Sequence, residues 1–254
     1  MFSIALLNHK GGVGKSSIAL NLAAFLSSSS SLLTIDLDPQ ANFSSTVSTP
    51  SNAAFDLLVK RSSISSSIYH CSKGFDIIAA SSLLNAADEL LPSDQSGVRR
   101  LRSALDEVRS SYDFVIIDTP PHLRSLALNA LVAADSVIIP TLPDVFSSNG
   151  LVELAKAINL VKSSLNPSIK VDGIILNRFK NTRLSRRMID VFQEAAKILN
   201  TRLFNTKIRD SIKVSEANAL QLSIFDYAPS SPVADDFLSL FKELFPDFQP
   251  VFSR

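Results

Sequence analysis

The 254-residue chain holds one cysteine, Cys71. A lone thiol excludes an internal disulfide and any metal or cluster site that needs several cysteines of one chain, so Cys71 reads as a bystander. No run of about 18 apolar residues occurs, which argues against a transmembrane helix. The apolar opening Met1 to Leu7 has no basic segment ahead of it and runs straight into a glycine-rich stretch. It therefore reads as a first strand and not a signal peptide, and the expected location is the cytoplasm. Neither sign of charge dominates, since 25 Lys and Arg face 24 Asp and Glu, so net charge gives no global hint of a polyanionic partner. Glycine is scarce too. Of only seven, Gly11, Gly12 and Gly14 fall within four positions, and in so poor a background that cluster is informative.

Apolar, β-branched runs recur at Phe2 to Leu7, Leu32 to Leu37, Asp76 to Ala79, Asp113 to Ile117, Ser136 to Ile139, Val171 to Leu176 and Leu203 to Ile208. Between them, Ser16 to Phe25, Val98 to Val108, Leu151 to Val161 and Leu184 to Leu199 return apolar residues at three- and four-residue steps, as helices do. Strands covered by helices on both faces read as continuous apolar runs. The rhythm predicts a doubly wound α/β fold, a mostly parallel sheet flanked by helices, in a single domain spanning 1–254. Ser27 to Ser31 reads as a helix-to-strand connection and Ser62 to Ser67 as a loop.

The first predicted strand leads into Asn8-His9-Lys10-Gly11-Gly12-Val13-Gly14-Lys15-Ser16-Ser17 and then a helix. Backbone N–H groups of such a loop, with the positive end of the helix, cradle phosphates. Lys15 is placed to reach the β- and γ-phosphates and Ser16 to ligate magnesium. The usual pattern puts glycine five residues before the Gly-Lys pair; here His9 stands there, followed by Lys10. The loop is a variant P-loop. The second strand ends in Asp36-Leu37-Asp38, and strand periodicity puts Asp36 and Asp38 on one face at the ligand-binding end of the sheet. Asp38 is the candidate for orienting an attacking water and Asp36 for the magnesium shell. Asp118, after four apolar residues, has the form of a Walker B aspartate.

Together these residues resemble the ParA/Soj branch of the deviant Walker ATPases, related to MinD. Lys10 to Ser16 matches the family's deviant Walker A loop, Asp36-Leu37-Asp38-Pro39-Gln40-Ala41-Asn42 its second motif, and Asp118-Thr119-Pro120-Pro121 its Walker B segment. Leu128 to Asp135, Thr182 to Ser185 and Val214 to Ala217 extend the likeness over almost the whole chain. The resemblance implies a slow, partner-stimulated ATP hydrolase that uses ATP and Mg2+. In it Lys10 crosses the interface of an ATP-bound homodimer to reach the phosphates held by the other subunit. Asp38 matches the acid required for hydrolysis. Gly11, Gly12, Val13, Gly14, Lys15, Ser16 and Ser17 hold ATP, and Asn177 contacts adenine. Where the family carries Pro-Arg-Asn near the base, this chain has Arg209-Asp210-Ser211, which puts base contacts from that segment in question.

From Arg178 to Lys213 ten basic residues face three acids, a segment of +7 against −6 for the remainder. Such a patch binds phosphate backbone without reading sequence. Arg183, Arg186, Arg187 and Lys213 are the leading candidates for non-specific DNA, with a nucleoid-associated location and a ParB-like activator implied by the resemblance. The amphipathic segment Phe237 to Phe245 has one lysine against several acids, so it is expected to pack on the domain and not on a membrane. With the P-loop so near the start, no DNA-reading segment is expected ahead of it. Two other readings stay open: a MinD-like positioning ATPase that never touches DNA, and a metabolic phosphotransferase or ligase, which needs no Lys10 in trans. Iron-protein reductases are excluded by the single cysteine.

Overall fold

The computed structural model describes residues 1–47, 51–91 and 95–251. Strand β1 (Phe2–Leu6) passes through the glycine loop into α1 (Lys15–Ser27) and β2 (Leu32–Asp36). Short helices follow, α2 (Ala53–Leu58) and α3 (Ile64–Ser67), then strands β3 (Tyr69–His70) and β4 (Asp76–Ile78). Next come α4 (Ala87–Leu90), α5 (Gln95–Val98), α6 (Arg100–Glu107), β5 (Phe114–Asp118), α7 (Ser125–Ala133) and β6 (Ser136–Thr141). The chain ends with α8 (Val145–Ser164), β7 (Lys170–Leu176), α9 (Arg183–Ile198), α10 (Ile212–Ala219), α11 (Ile224–Tyr227) and α12 (Pro232–Leu244).

The strand order is β3-β4-β2-β5-β1-β6-β7, all parallel except β3 against β4. Alternation along the strands divides the core. Ile4, Leu6, Ile116 and Ile138 face α1 and α12, while Ala5, Leu7, Val115, Ile117, Val137 and Ile139 face the helices of the other side. The predicted doubly wound sheet is the observed one. Its register also sets the chemistry: β2 and β5 pair Asp36 with Asp118, placing two carboxylates side by side at the carboxyl end of the sheet.

The amphipathic C-terminal segment lies in α12, with Val233, Ala234, Phe237, Leu240 and Phe241 buried against Phe25 and the α1 core. Full burial of each such large side chain contributes about 1.5–3 kcal/mol, so this helix is held firmly on the sheet. No helix among the described residues is long and apolar enough to cross a membrane.

Three expectations are corrected. Leu203 to Ile208 is not a strand, although isolated bridges join Leu203 to Ile174 and Arg209 to Phe179. The ladder fails in between because the Asn205 and Thr206 N–H groups donate to Glu243 of α12 and not to β7. Val98 to Val108 is not one helix. Buried Asn129 accepts from Leu101 N and donates to Gly97 O, the two groups that a continuous helix would join to each other, and the chain divides into α5 and α6 there. The serine run 62–67, expected as a loop, ends in α3, whose N-cap Ser63 accepts from Ser66 N.

Candidate active site

Side chains from distant strands fix the glycine loop. Asn8 donates to Pro140 O at 2.6 Å and accepts from Lys10 N at 2.9 Å. Asn177, at the end of β7, donates to Val13 O at 2.8 Å and accepts from Arg178 N. Gly14 has φ +94°, and a Cβ there would lie 2.2 Å from Asn177 Nδ2, so both backbone conformation and space require glycine. Gly14 is also the N-cap of α1, with no side-chain cap and no acid in the first turn. The first N–H groups of α1 thus have no side-chain acceptor, the arrangement that binds an anion.

Lys15 is buried, and burial lowers its pKa while the nearby Asp118 and Asp38 carboxylates oppose that shift. A cleft of about 530 Å³ opens over the loop, lined by Gly11, Gly12, Gly14, Lys15, Ser16, Ser17 and Asp38. Its far wall comes from Gln40, Asn42, Ser45, Thr46 and Asn218. Asn218 donates to Ser17 Oγ at 3.3 Å, linking α10 to the loop helix. Sequence reading gave no role to Thr46 or Asn218, because nothing in the local pattern indicates that α10 folds back over α1. Asp38 is 7% exposed, accepts from Gln40 N, and also borders a second cavity of about 180 Å³ with His122 and Arg124.

The two acids paired across β2 and β5 differ in their surroundings. Asp36 accepts from Asp38 N at 3.0 Å and from Ser44 N and Ser44 Oγ at 2.8 and 2.7 Å, and Ser44 Oγ in turn accepts from Ala80 N. Burial raises its pKa to about 6 against these hydrogen bonds. Asp36, expected in the magnesium shell, has both oxygens accepting hydrogen bonds that fix the turn presenting Asp38. Neither oxygen of Asp118 has a hydrogen-bond partner among the described residues. The Ser16 hydroxyl lies near enough to lower its pKa without meeting hydrogen-bond geometry. Burial, then the neighbouring Asp36 charge, carry the Asp118 pKa up to about 8. A buried carboxylate with open lone pairs, beside a serine and a phosphate cradle, fits a magnesium ion, which takes one or two carboxylates plus substrate phosphates.

Lys10 does not line this cleft. Its Nζ lies 2.9 Å from Asp144 Oδ2, with both side chains about one-third exposed. His9, beside it, contacts Pro121 O and Glu153.

The basic segment is partly neutralised. Arg178 and Lys180 both pair with Asp210, the Arg209 guanidinium makes two hydrogen bonds to Asp236, and Lys197 pairs with Glu194. Arg186 donates to Asn181. Arg183, Arg187 and Lys213 are exposed and make no ion pair among the described residues.

A family model described as an AAA domain matches residues 1–171. Soj of Bacillus subtilis, a sporulation initiation inhibitor protein, is 34% identical over 249 residues, covering 95% of this chain and 97% of the relative. The chain belongs to the ParA/Soj family. The chromosome partitioning protein ParA of Myxococcus xanthus is 33% identical over 95% of this chain and 87% of its own. In structure, the ATP complex of an Asp-to-Ala variant of McdA from Cyanothece superposes with TM-score 0.85 at 22% identity, over 99% of both chains. The P-loop, the parallel sheet and the acids at its carboxyl edge are thus those of a ParA/Soj-family P-loop ATPase of the positioning type.

Proposed function

We propose that this ParA/Soj-family ATPase partitions chromosomal or plasmid DNA by an ATP-dependent switch. ATP lies on the loop from Gly11 to Ser17, with Lys15 on its phosphates and Asn177 bracing the loop beside the base. Mg2+ is held by Ser16 and Asp118 and neutralises phosphate charge. Asp38, held by Asp36 through the 38–44 turn, orients the attacking water. Two copies close on ATP, each lending Lys10 to the other's phosphates, and the dimer holds non-specific DNA through Arg183, Arg186, Arg187 and Lys213. A ParB-like, DNA-bound activator then stimulates slow hydrolysis and release on the nucleoid.

The observation that carries this reading is the position of Lys10. It belongs to the Walker loop, yet does not line its own cleft, and its side chain, about one-third exposed, is held by Asp144. A lysine so placed serves a phosphate presented from outside its own chain. The packing of α12 on the core supports this reading over the membrane-positioning alternative. Its test is DNA binding at fixed salt with ATP, ADP and no nucleotide, for the natural chain and Lys10→Ala. Tight binding only with ATP and only with Lys10 supports the switch; equal affinity in all states refutes it.

A further inference from the structure

A further cleft, of about 640 Å³, opens between the α2–α3 corner and helices α5 and α6. It shares no lining residue with the cleft over the glycine loop. Buried Leu57, Ile64 and Ala104 supply its apolar lining. Its charge is one-sided: among the described lining residues Lys60, Arg99 and Arg100 stand against a single acid, Glu107. Arg99 donates to Leu165 O at 3.3 Å, and Lys60 is exposed. Arg100 is different. It lines the cleft, yet its Nε and Nη1 are cut off from solvent and have no hydrogen-bond partner among the described residues. An arginine stays charged at every ordinary pH, so losing a proton cannot relieve this group. Unmet buried donors on a charged group are costly, and native structures keep few of them without a reason.

We propose that this cleft binds a small phosphomonoester, with the phosphate seated against Arg100. The lining selects that chemistry. Three cations against one acid complement a dianion better than a singly charged diester, and guanidinium bonds to phosphate are among the stronger hydrogen bonds. Exposed Ser103, on α6, adds a hydroxyl to the same lining, and Lys60 brings a point charge on a flexible stem. A volume of about 640 Å³ suits a small organic ligand and exceeds what a bare phosphate needs. Glu107 lies about two turns of α6 beyond Arg100, roughly 10 Å, which leaves the phosphate unopposed and lets the acid accept from a ligand hydroxyl. The site stands apart from the switch proposed above, because no residue of the nucleotide cleft takes part in it.

The test is calorimetric titration of the full chain with ribose 5-phosphate near pH 7.5, where a phosphomonoester carries close to two charges. Saturating ADP and Mg2+ occupy the glycine loop. Binding is expected, with inorganic phosphate binding more weakly at the same place. Arg100→Met weakens ribose 5-phosphate at least about tenfold, Lys60→Ala about threefold, and Lys156→Ala, an exposed lysine of α8 that does not line the cleft, not at all. Arg100→Met also removes an unmet buried charge, so without ligand it melts no lower than the natural chain; ribose 5-phosphate raises the melting temperature of the natural chain and not of the variant. Ser103→Glu, at an exposed position, puts a second acid in the cleft and abolishes binding while circular dichroism stays unchanged. No binding of either probe, undiminished binding by Arg100→Met, or equal affinity for the diester dimethyl phosphate overturns the proposal. An Arg100-dependent grip on duplex DNA, with none on ribose 5-phosphate, overturns it in favour of a nucleic-acid backbone.

Discussion

Lys10 Nζ and Asp144 Oδ2 lie 2.9 Å apart, so the lysine assigned to a second chain's phosphates is held by an acid of its own chain. An ion pair this exposed is worth at most about 1 kcal/mol, or about fivefold in an equilibrium. Asp144→Asn is therefore expected to tighten the ATP-bridged dimer by about two- to fivefold. Sedimentation of Asp38→Ala protein in ATP, with and without Asp144→Asn, measures this. A weaker dimer would mean that Asp144 acts within the interface and not as a restraint on Lys10.

Asp118 and Asp36 separate by mutation. Asp118→Asn replaces a buried carboxyl group that has no hydrogen-bond partner among the described residues, so the nucleotide-free protein is expected to melt at the same temperature or higher, while magnesium-dependent hydrolysis falls at least about 100-fold. Asp36→Asn loses acceptors for Asp38 and Ser44 and turns an N–H toward another N–H, at a cost of about 2–3 kcal/mol in stability. Thermal melts and single-turnover hydrolysis of both variants decide this. Destabilisation by Asp118→Asn would sink the assignment.

Replacing Gly14 by alanine drives a Cβ into Asn177 and strains a φ of +94°. Nucleotide affinity is expected to be lost. Asn177→Ala leaves Val13 O without its donor and is expected to weaken ATP by about tenfold, since one buried hydrogen bond is worth about 1–2 kcal/mol. Fluorescent-nucleotide titration reads both. If Gly14→Ala combined with Asn177→Ala binds as well as Asn177→Ala alone, the clash dominates and the backbone strain is minor.

On the basic segment, the ion pairs rank the candidates. Arg183→Ala, Arg187→Ala and Lys213→Ala are each expected to lower the slope of log affinity for DNA against log salt by about one. Arg178→Ala, whose charge is already met by Asp210, should change it much less. Equal slopes for all four would mean that the unpaired cations are not the DNA contacts.

Glu243 joins α12 to the segment after α9. Burial pushes its pKa up, but the Asn205 and Thr206 N–H groups outweigh that and leave it below the usual value. A lowered folded pKa means that its contribution is present above the unfolded carboxylate range and lost as pH falls through the folded value. Glu243→Gln is expected to cost about 1 kcal/mol at pH 7 and progressively less toward pH 4 and below. Denaturant melts across that range check it; a cost independent of pH would assign the effect to packing.

The sheet, the loop and the three acids were legible because each is local: a run of apolar residues, a glycine cluster, an acid after a strand. What escaped was whatever depends on partners far away in sequence. Asp36 and Asp118 are alike as strand-end acids, and only Ser44, reached through a turn, separates them. Asn129 looks like an ordinary polar residue in an apolar stretch, yet it decides where α5 ends and α6 begins. Leu203 to Ile208 has strand composition, but Glu243 takes its N–H groups.

The bonds joining α1 to the last part of the chain bear on when the protein becomes competent. Ser17 meets Asn218 across 201 residues, and Asn21 meets Ile224 across 203. During synthesis at about 5–20 residues per second, the loop emerges tens of seconds at the slow end, or about ten at the fast end, before the wall of its own cleft exists. A nascent chain therefore carries the glycine loop long before it can close a site around ATP. On the proposed switch, neighbouring ribosomes on one message would not join their products through nucleotide until α10 and α11 have emerged.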